Sequence, residues 1–103
     1  MEIAVLTTVS DRESANRIAR ALVSEKLAAC VNVIPGVTSF YEWDGSIQEE
    51  NEIIILAKTE NSVFEKMKKR VIDLHPYDLP ELITLDISGG LPEYLEWIRK
   101  YVE

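Results

Sequence analysis

Residues 31–59 have the sequence VNVIPGVTSFYEWDGSIQEENEIIILAKT, which predicts one long β-hairpin around which the rest of the chain is arranged. Asp44-Gly45 lies between two strand-like halves, 28–43 and 47–59, and is typical of a tight hairpin turn, since Gly adopts positive φ without steric cost. Pro35-Gly36 interrupts the first half. Because Pro has no amide proton to donate to a sheet ladder, we expect a bulge or bend there.

The residues before the hairpin predict a buried strand followed by an amphipathic helix. Residues 3–9 are rich in β-branched side chains, which favour a strand. Ser10 and Glu13 have the spacing of a capping box, so we expect Ser10 to cap a helix that runs from 11 to about 26. Four apolar residues recur at helical spacing and predict the buried face of this helix: Ala15, Ile18, Ala19 and Leu22.

The residues after the hairpin predict a second helix, a fourth strand and a final helix. Ser62 and Glu65 have the spacing of a second capping box, and Pro76 ends the helix that follows. Residues 82–87 favour a strand. Pro92 suits the first turn of the last helix, where its missing amide proton costs nothing.

The resulting order, β-α-β-β-α-β-α, predicts an α+β protein with a single domain over residues 1–103. Without its final helix this order is the split βαβ, or ferredoxin-like, arrangement, with two helices on one face of a sheet. The continuous apolar run at 53–57 predicts a strand segment that is buried on both faces.

Composition argues against several classes of function. The formal net charge of −7 disfavours nucleic-acid binding, which relies on Lys and Arg at the phosphates. A single cysteine excludes an intramolecular disulfide and gives no sign of an oxidising compartment. The start of the chain lacks signal-peptide features, and its longest apolar run is too short to cross a bilayer. We therefore expect a cytoplasmic protein that binds neither nucleic acid nor membranes.

The length of the hairpin indicates self-association. Its first arm, 31–43, could span about 43 Å at about 3.3 Å per residue, whereas a compact domain of this size has a diameter of about 33 Å. The arm also carries Phe40, Tyr41 and Trp43 near its tip, which we predict to lie in an oligomer interface, because exposed aromatic strands otherwise invite aggregation. The alternative is that the bend at Pro35-Gly36 folds the arm back onto its own domain.

His75 and Cys30 are the two candidate metal ligands. His75 follows a helix, where an imidazole either satisfies the last carbonyls or binds a metal. Cys30 lies at the start of a strand and is either a small buried apolar residue or a soft ligand for copper(I) or zinc. Two soft ligands do not complete a closed structural site, so no cofactor is expected to be required for folding.

Catalytic motifs are missing from the sequence. Glycine is scarce, so there is no phosphate-binding loop. No serine lies in a nucleophile-elbow motif that His75 could activate as a general base. The residues therefore favour a protein that acts by binding and is not an enzyme.

Three stretches together resemble the divalent-cation tolerance (CutA) family over almost the whole chain. They are KLAACVN at 26–32; IPGVTS at 34–39 with Tyr41, Trp43, Gly45, Ile47, Glu52, Lys58 and Thr59; and HPY at 75–77 with Pro80, Glu81, Tyr94, Leu95 and Trp97. The resemblance implies a ferredoxin-like protomer in a homotrimer whose architecture is similar to that of PII signalling proteins. It also implies a response to divalent metals, copper above all.

The resemblance makes Cys30 and His75 the candidate copper contacts. Some relatives have a second Cys and a second His at the places that Thr7 and Leu74 occupy here. The leading hypothesis is a trimeric binding or signalling protein linked to metal response. The alternatives are a copper-dependent redox protein and a PII-like sensor of a small anionic ligand at subunit clefts, for which Lys58 or Arg99 would supply positive charge.

Overall fold

The computed structural model describes residues 1–102, so residue 103 of the predicted domain lies outside the described part. In that part, four strands and three α-helices follow the predicted order. They are β1 (Glu2–Val9), α1 (Arg12–Ser24), β2 (Cys30–Trp43), β3 (Ser46–Glu60), α2 (Phe64–Leu74), β4 (Leu82–Asp86) and α3 (Pro92–Lys100), with a short 3-10 helix (Asn61–Val63) before α2. The α+β prediction is confirmed.

The four strands form one antiparallel sheet in the order β2-β3-β1-β4. One face carries alternate residues of β1 and β3, such as Val5, Ile55 and Ala57, and packs against α1 and α2 in the hydrophobic core. The apolar stripes of the two helices supply the other half of this core through residues such as Ile18 and Met67. Both predicted helices therefore cover the same face of the sheet.

The long hairpin is confirmed, with its turn and its bulge where the sequence predicts them. Asp44 and Gly45 both have positive φ, 50° and 79°, as a two-residue turn of the primed type requires. The register shifts between Ile34 and Val37, but pairing continues to Trp43 opposite Ser46. The arm therefore stays extended, and the molecule measures 45 × 26 × 22 Å. The folded-back alternative is not observed.

Both predicted helix caps are wrong. Asp11, not Ser10, caps α1, and its carboxylate accepts a hydrogen bond from the Ser14 amide at 2.8 Å. A carboxylate at this position also interacts favourably with the helix dipole. At the second helix the chain enters through the 3-10 turn, and Val63 precedes α2 without a side-chain cap.

The prediction that 53–57 is buried on both faces is also wrong for the single chain. Ile55 and Ala57 are fully buried, whereas Ile54 and Leu56 on the opposite face are only half-buried. Cross-strand partners share a face of a sheet, and the strand register places the following six apolar residues on this second face, which we call the open sheet face: Leu6, Ile34, Ile54, Leu56, Ile83 and Leu85. The last helix, α3, covers only part of this face. Its contacts show which part, since Arg99 bonds to Glu2 and Tyr94 lies beside Cys30.

Candidate functional site

A groove of about 780 Å³ lies between the outer half of the hairpin and the loop that follows α2. β1 pairs with β3 only as far as Val9 opposite Ile53, so beyond that point β3 has β2 as its only neighbour and the loop fills part of the space beside it. We call this feature the acidic groove, because its charged side chains are four carboxylates: Glu50, Glu52, Asp78 and Glu81. Within residues 1–102, no lysine or arginine lines it.

Aromatic side chains form much of the remaining wall of the acidic groove. The hairpin contributes Phe40, Tyr41 and Trp43, and the loop contributes Tyr77. Phe40 and Trp43 are 66% and 58% exposed in the single chain. The three residues predicted to form an oligomer interface thus lie together at the tip of the arm. Their role in an interface stays a prediction.

Two tyrosines hold the two glutamates of the groove. The Tyr77 hydroxyl donates a hydrogen bond of 2.8 Å to Glu52 Oε2, and the Tyr41 hydroxyl donates to Glu50. Burial, followed by the neighbouring Glu52 carboxylate, raises the pKa of Tyr77 to about 12. The hydrogen bond to Glu50 likewise raises the pKa of Tyr41. Both hydroxyls therefore remain donors at neutral pH.

His75 anchors this loop to the sheet. Its Nε2 lies 2.8 Å from the Thr8 carbonyl oxygen, and its Nδ1 accepts from the Tyr77 amide at 3.1 Å. The contact with the carbonyl assigns the proton to Nε2, since a carbonyl can only accept. The ring is buried, and this burial lowers its pKa below the ordinary value of 6.5. Both ring nitrogens are therefore engaged within the chain.

Cys30 lies elsewhere, at the start of β2. Its thiol is half-buried beside the Tyr94 hydroxyl of α3, where burial, followed by the Cys30 thiol, raises the pKa of Tyr94. Through the register, Cys30 aligns with Ala4 of β1, whereas His75 contacts Thr8, four residues or about 13 Å further along that strand. One chain therefore does not bring the two candidate ligands together.

The described part of the chain contains no ready-made group of metal ligands. Among residues 1–102, no three His, Cys, Asp or Glu side chains converge closely enough to hold a metal ion.

The two basic side chains predicted to attract an anionic ligand, Lys58 and Arg99, already have partners within the chain. Lys58 bonds to the Asn32 side chain, and Arg99 bonds to Glu2 at 2.8 Å. No helix within residues 1–102 is long and apolar enough to cross a membrane.

Sequence reasoning did not find the acidic groove, although it singled out several of its residues separately. Glu52 and Tyr77 are 25 positions apart, and nothing in their local patterns shows that they meet. The available signal was indirect: β3 is predicted to be much longer than β1, so its outer half must lack a neighbour on one side. The position of the loop in that space depends on the His75 anchor.

Comparison with known proteins identifies the family. The model of the CutA1 divalent ion tolerance protein family matches residues 3–101. This chain belongs to the CutA1 divalent ion tolerance family. A relative from Thermus thermophilus, named divalent-cation tolerance protein CutA, is 51% identical over 97% of each chain. The chloroplastic CutA protein of Arabidopsis thaliana is 45% identical, and the chain spans 53% of its length.

Solved structures of CutA proteins have the same fold. The Thermus thermophilus structure superimposes with a TM-score of 0.97 at 50% identity and full coverage of both chains. A structure from Archaeoglobus fulgidus, described as a periplasmic divalent cation tolerance protein, superimposes with a TM-score of 0.95 at 37% identity, also with full coverage. The predicted family resemblance is thus confirmed, and with it the fold.

Proposed function

We propose that this chain functions in the response to divalent metal ions, copper among them, as a homotrimer that acts by binding and not by catalysis. The observation that carries this proposal is the family match, which covers residues 3–101 and includes relatives named for divalent-cation tolerance. The trimer is supported by two features of the single chain, the open sheet face and the exposed aromatic tip of the hairpin. The single unpaired cysteine supports a cytoplasmic location.

For copper we propose Cys30 and His75 as separate contacts. A half-buried thiol suits copper(I), which prefers soft ligands. Copper(II) prefers nitrogen and oxygen and would use His75, with Asp78 or Glu81 as further ligands. Coordination at His75 Nδ1 has to displace the Tyr77 amide, so we expect copper(II) to bind weakly.

Titration with each oxidation state tests these contacts. We expect Cys30→Ser to lower copper(I) affinity by about tenfold or more, and His75→Ala to lower copper(II) affinity, because each substitution removes the ligand that suits that ion. Glu65→Gln, which removes an exposed carboxylate on α2, is the matched control and should change neither affinity. Equal affinities for wild type and both ligand variants would mean that copper binds only the general acidic surface.

A further inference from the structure

The charged residues of this chain are unevenly distributed over its layers. Residues 11–26 and 61–74, which contain α1 and α2 and which we call the helical layer, carry eight Lys and Arg against five Asp and Glu, a formal net charge of +3. The rest of the chain carries three Lys and Arg against thirteen Asp and Glu, a net charge of −10. Surface charge of one sign attracts partners of the opposite sign. The helical layer is therefore the part of this acidic protein that is suited to an acidic partner.

The helical layer stays accessible in the proposed assembly. α1 and α2 pack against the core face of the sheet, and the open sheet face lies on the opposite side. Lys66 and Lys69 on α2 are exposed, and within residues 1–102 neither of them forms an ion pair. Their neighbour Lys68, by contrast, pairs with Glu65 at 2.9 Å. Two ammonium groups of this layer therefore have all their donors available to a partner.

A shallow concavity of about 310 Å³ lies between these two lysines and the end of α1. Leu27, which is only 6% exposed, gives it an apolar contact surface. Arg70 is fixed at its edge, because Nε donates to both carboxylate oxygens of Glu25 at 2.9 and 3.0 Å. The volume is at the lower end of the range for ligand pockets, about 300–1,000 Å³. The concavity therefore suits a side chain of a partner better than a whole cofactor.

The mixed charge of this concavity favours a protein over a polyanion. Glu25 and Asp73 line it together with the basic residues, so a phosphate backbone or an anionic bilayer would also place negative charge against these two carboxylates. A protein segment can place carboxylates at the lysines alone. Lys66 and Lys69 are three residues apart on one helix, so their Cβ atoms are about 5–6 Å apart. Two carboxylates of one short segment can reach both.

We propose that the helical layer docks an acidic segment of a partner protein. Two carboxylates of this segment bind Lys66 and Lys69, and one apolar side chain enters the concavity and contacts Leu27. This interaction is separate from the proposed metal response, because Cys30 and His75 do not line the concavity. The metal titrations and the docking experiment can therefore fail independently of each other.

Fluorescence anisotropy with a short labelled peptide, in which glutamates flank one leucine, tests the proposal on the full chain as it assembles. We expect saturable binding to the wild type at low salt. Lys66→Gln and Lys69→Gln should each lower the affinity by about threefold or more, and the double variant by about tenfold or more, since each substitution removes one ion pair at the surface. Lys100→Gln on α3 is the matched control, because it removes the same charge from an exposed site outside the helical layer, and it should keep the wild-type affinity.

Four results would overturn the proposal. The first is an absence of saturable binding of the glutamate peptide to the wild type. The second is an equal loss of affinity in Lys100→Gln, which would mean general attraction to positive charge. The third is equal binding of a peptide with glutamine in place of each glutamate. The fourth is tighter binding of duplex DNA or of phosphatidylserine vesicles than of the peptide, which would mean that the helical layer recognises polyanions.

Discussion

His75 links the end of α2 to the end of β1, although the two contacting residues are 67 positions apart in the chain. The imidazole bridges the Thr8 carbonyl and the Tyr77 amide, so it satisfies two backbone groups that the secondary structure leaves unpaired. The same contact holds Tyr77 where it can reach Glu52. A single buried side chain therefore determines the position of one wall of the acidic groove.

We expect His75→Ala to lower the free energy of unfolding by about 1–3 kcal/mol, because a buried carbonyl group and a partly buried amide group lose their partner. The substitution should also remove a pH effect. Burial lowers the pKa of His75 in the folded state, so as pH falls through the unfolded value of 6.5 the unfolded chain takes up the proton more readily. The stability that neutral His75 contributes is thus present above this value and is lost below it.

Urea unfolding of wild type and His75→Ala at about pH 7.5 and about pH 5.5 measures this effect. The chain has no other histidine, and its carboxylates titrate in both proteins. A difference between the two pH dependences therefore comes from His75. An identical pH dependence in the two proteins would contradict the assigned role of His75.

At the scale of elements, the hairpin is defined by two short backbone features. Gly36, with a φ of 79°, lies in the bulge, and Asp44-Gly45 forms the turn, so both irregularities fall where a residue without a Cβ allows left-handed backbone. Between them, β2 and β3 pair without a third strand from residue 37 to the tip. The turn therefore sets the register of the segment that carries Tyr41, Trp43 and Glu50.

We expect Gly45→Ala to lower the free energy of unfolding by about 1–2 kcal/mol, because an L-residue is strained at its φ of 79°. No atom lies within 4 Å of an added Cβ there, so the cost comes from the backbone alone. Gly89→Ala is the matched control. It also meets no atom within 4 Å but is not at positive φ, and it should be neutral or stabilising by less than about 1 kcal/mol. Equal effects of the two substitutions in urea unfolding would refute the turn argument.

At the scale of the whole molecule, one chain leaves much of its sheet uncovered. The open sheet face is apolar, and α3 covers only one part of it. Both outer strands of the sheet, β2 and β4, also have an unpaired edge within the described chain. Contiguous exposed apolar surface of this kind is typical of protein interfaces. This is the physical reason for expecting assembly, independent of the family.

We expect light scattering after size-exclusion chromatography to give three times the chain mass for the wild type. Ile83→Asp should shift the protein toward monomer, because it places a charge on the open sheet face where Ile83 is 46% exposed. Ile72→Asp on α2 is the matched control, since Ile72 is similarly exposed, at 56%, but lies on the helical layer. A monomeric wild type, or equal dissociation by both substitutions, would contradict the proposed assembly.

Features that depend on neighbouring residues were predictable from the sequence. Asp44-Gly45 forms its turn and Pro35-Gly36 its bulge because each depends on the backbone preferences of two adjacent residues. Element order and the buried helix faces followed from hydrophobic periodicity, which directly reflects burial. The prediction of the first helix cap was wrong because Ser10 and Asp11 are both good N-cap residues. The choice between them depends on how the backbone leaves the end of β1.

The contacts among the side chains of the candidate site arise from the tertiary structure and not from any local pattern. The contacts of His75 with Thr8 and of Tyr77 with Glu52 join residues 67 and 25 positions apart, and no local pattern encodes them. The structure likewise separated Cys30 from His75 by aligning them with different positions of β1. Local backbone preferences and periodicity act over a few residues. The charge and shape of a site depend instead on packing among distant segments, which the folded chain alone brings together.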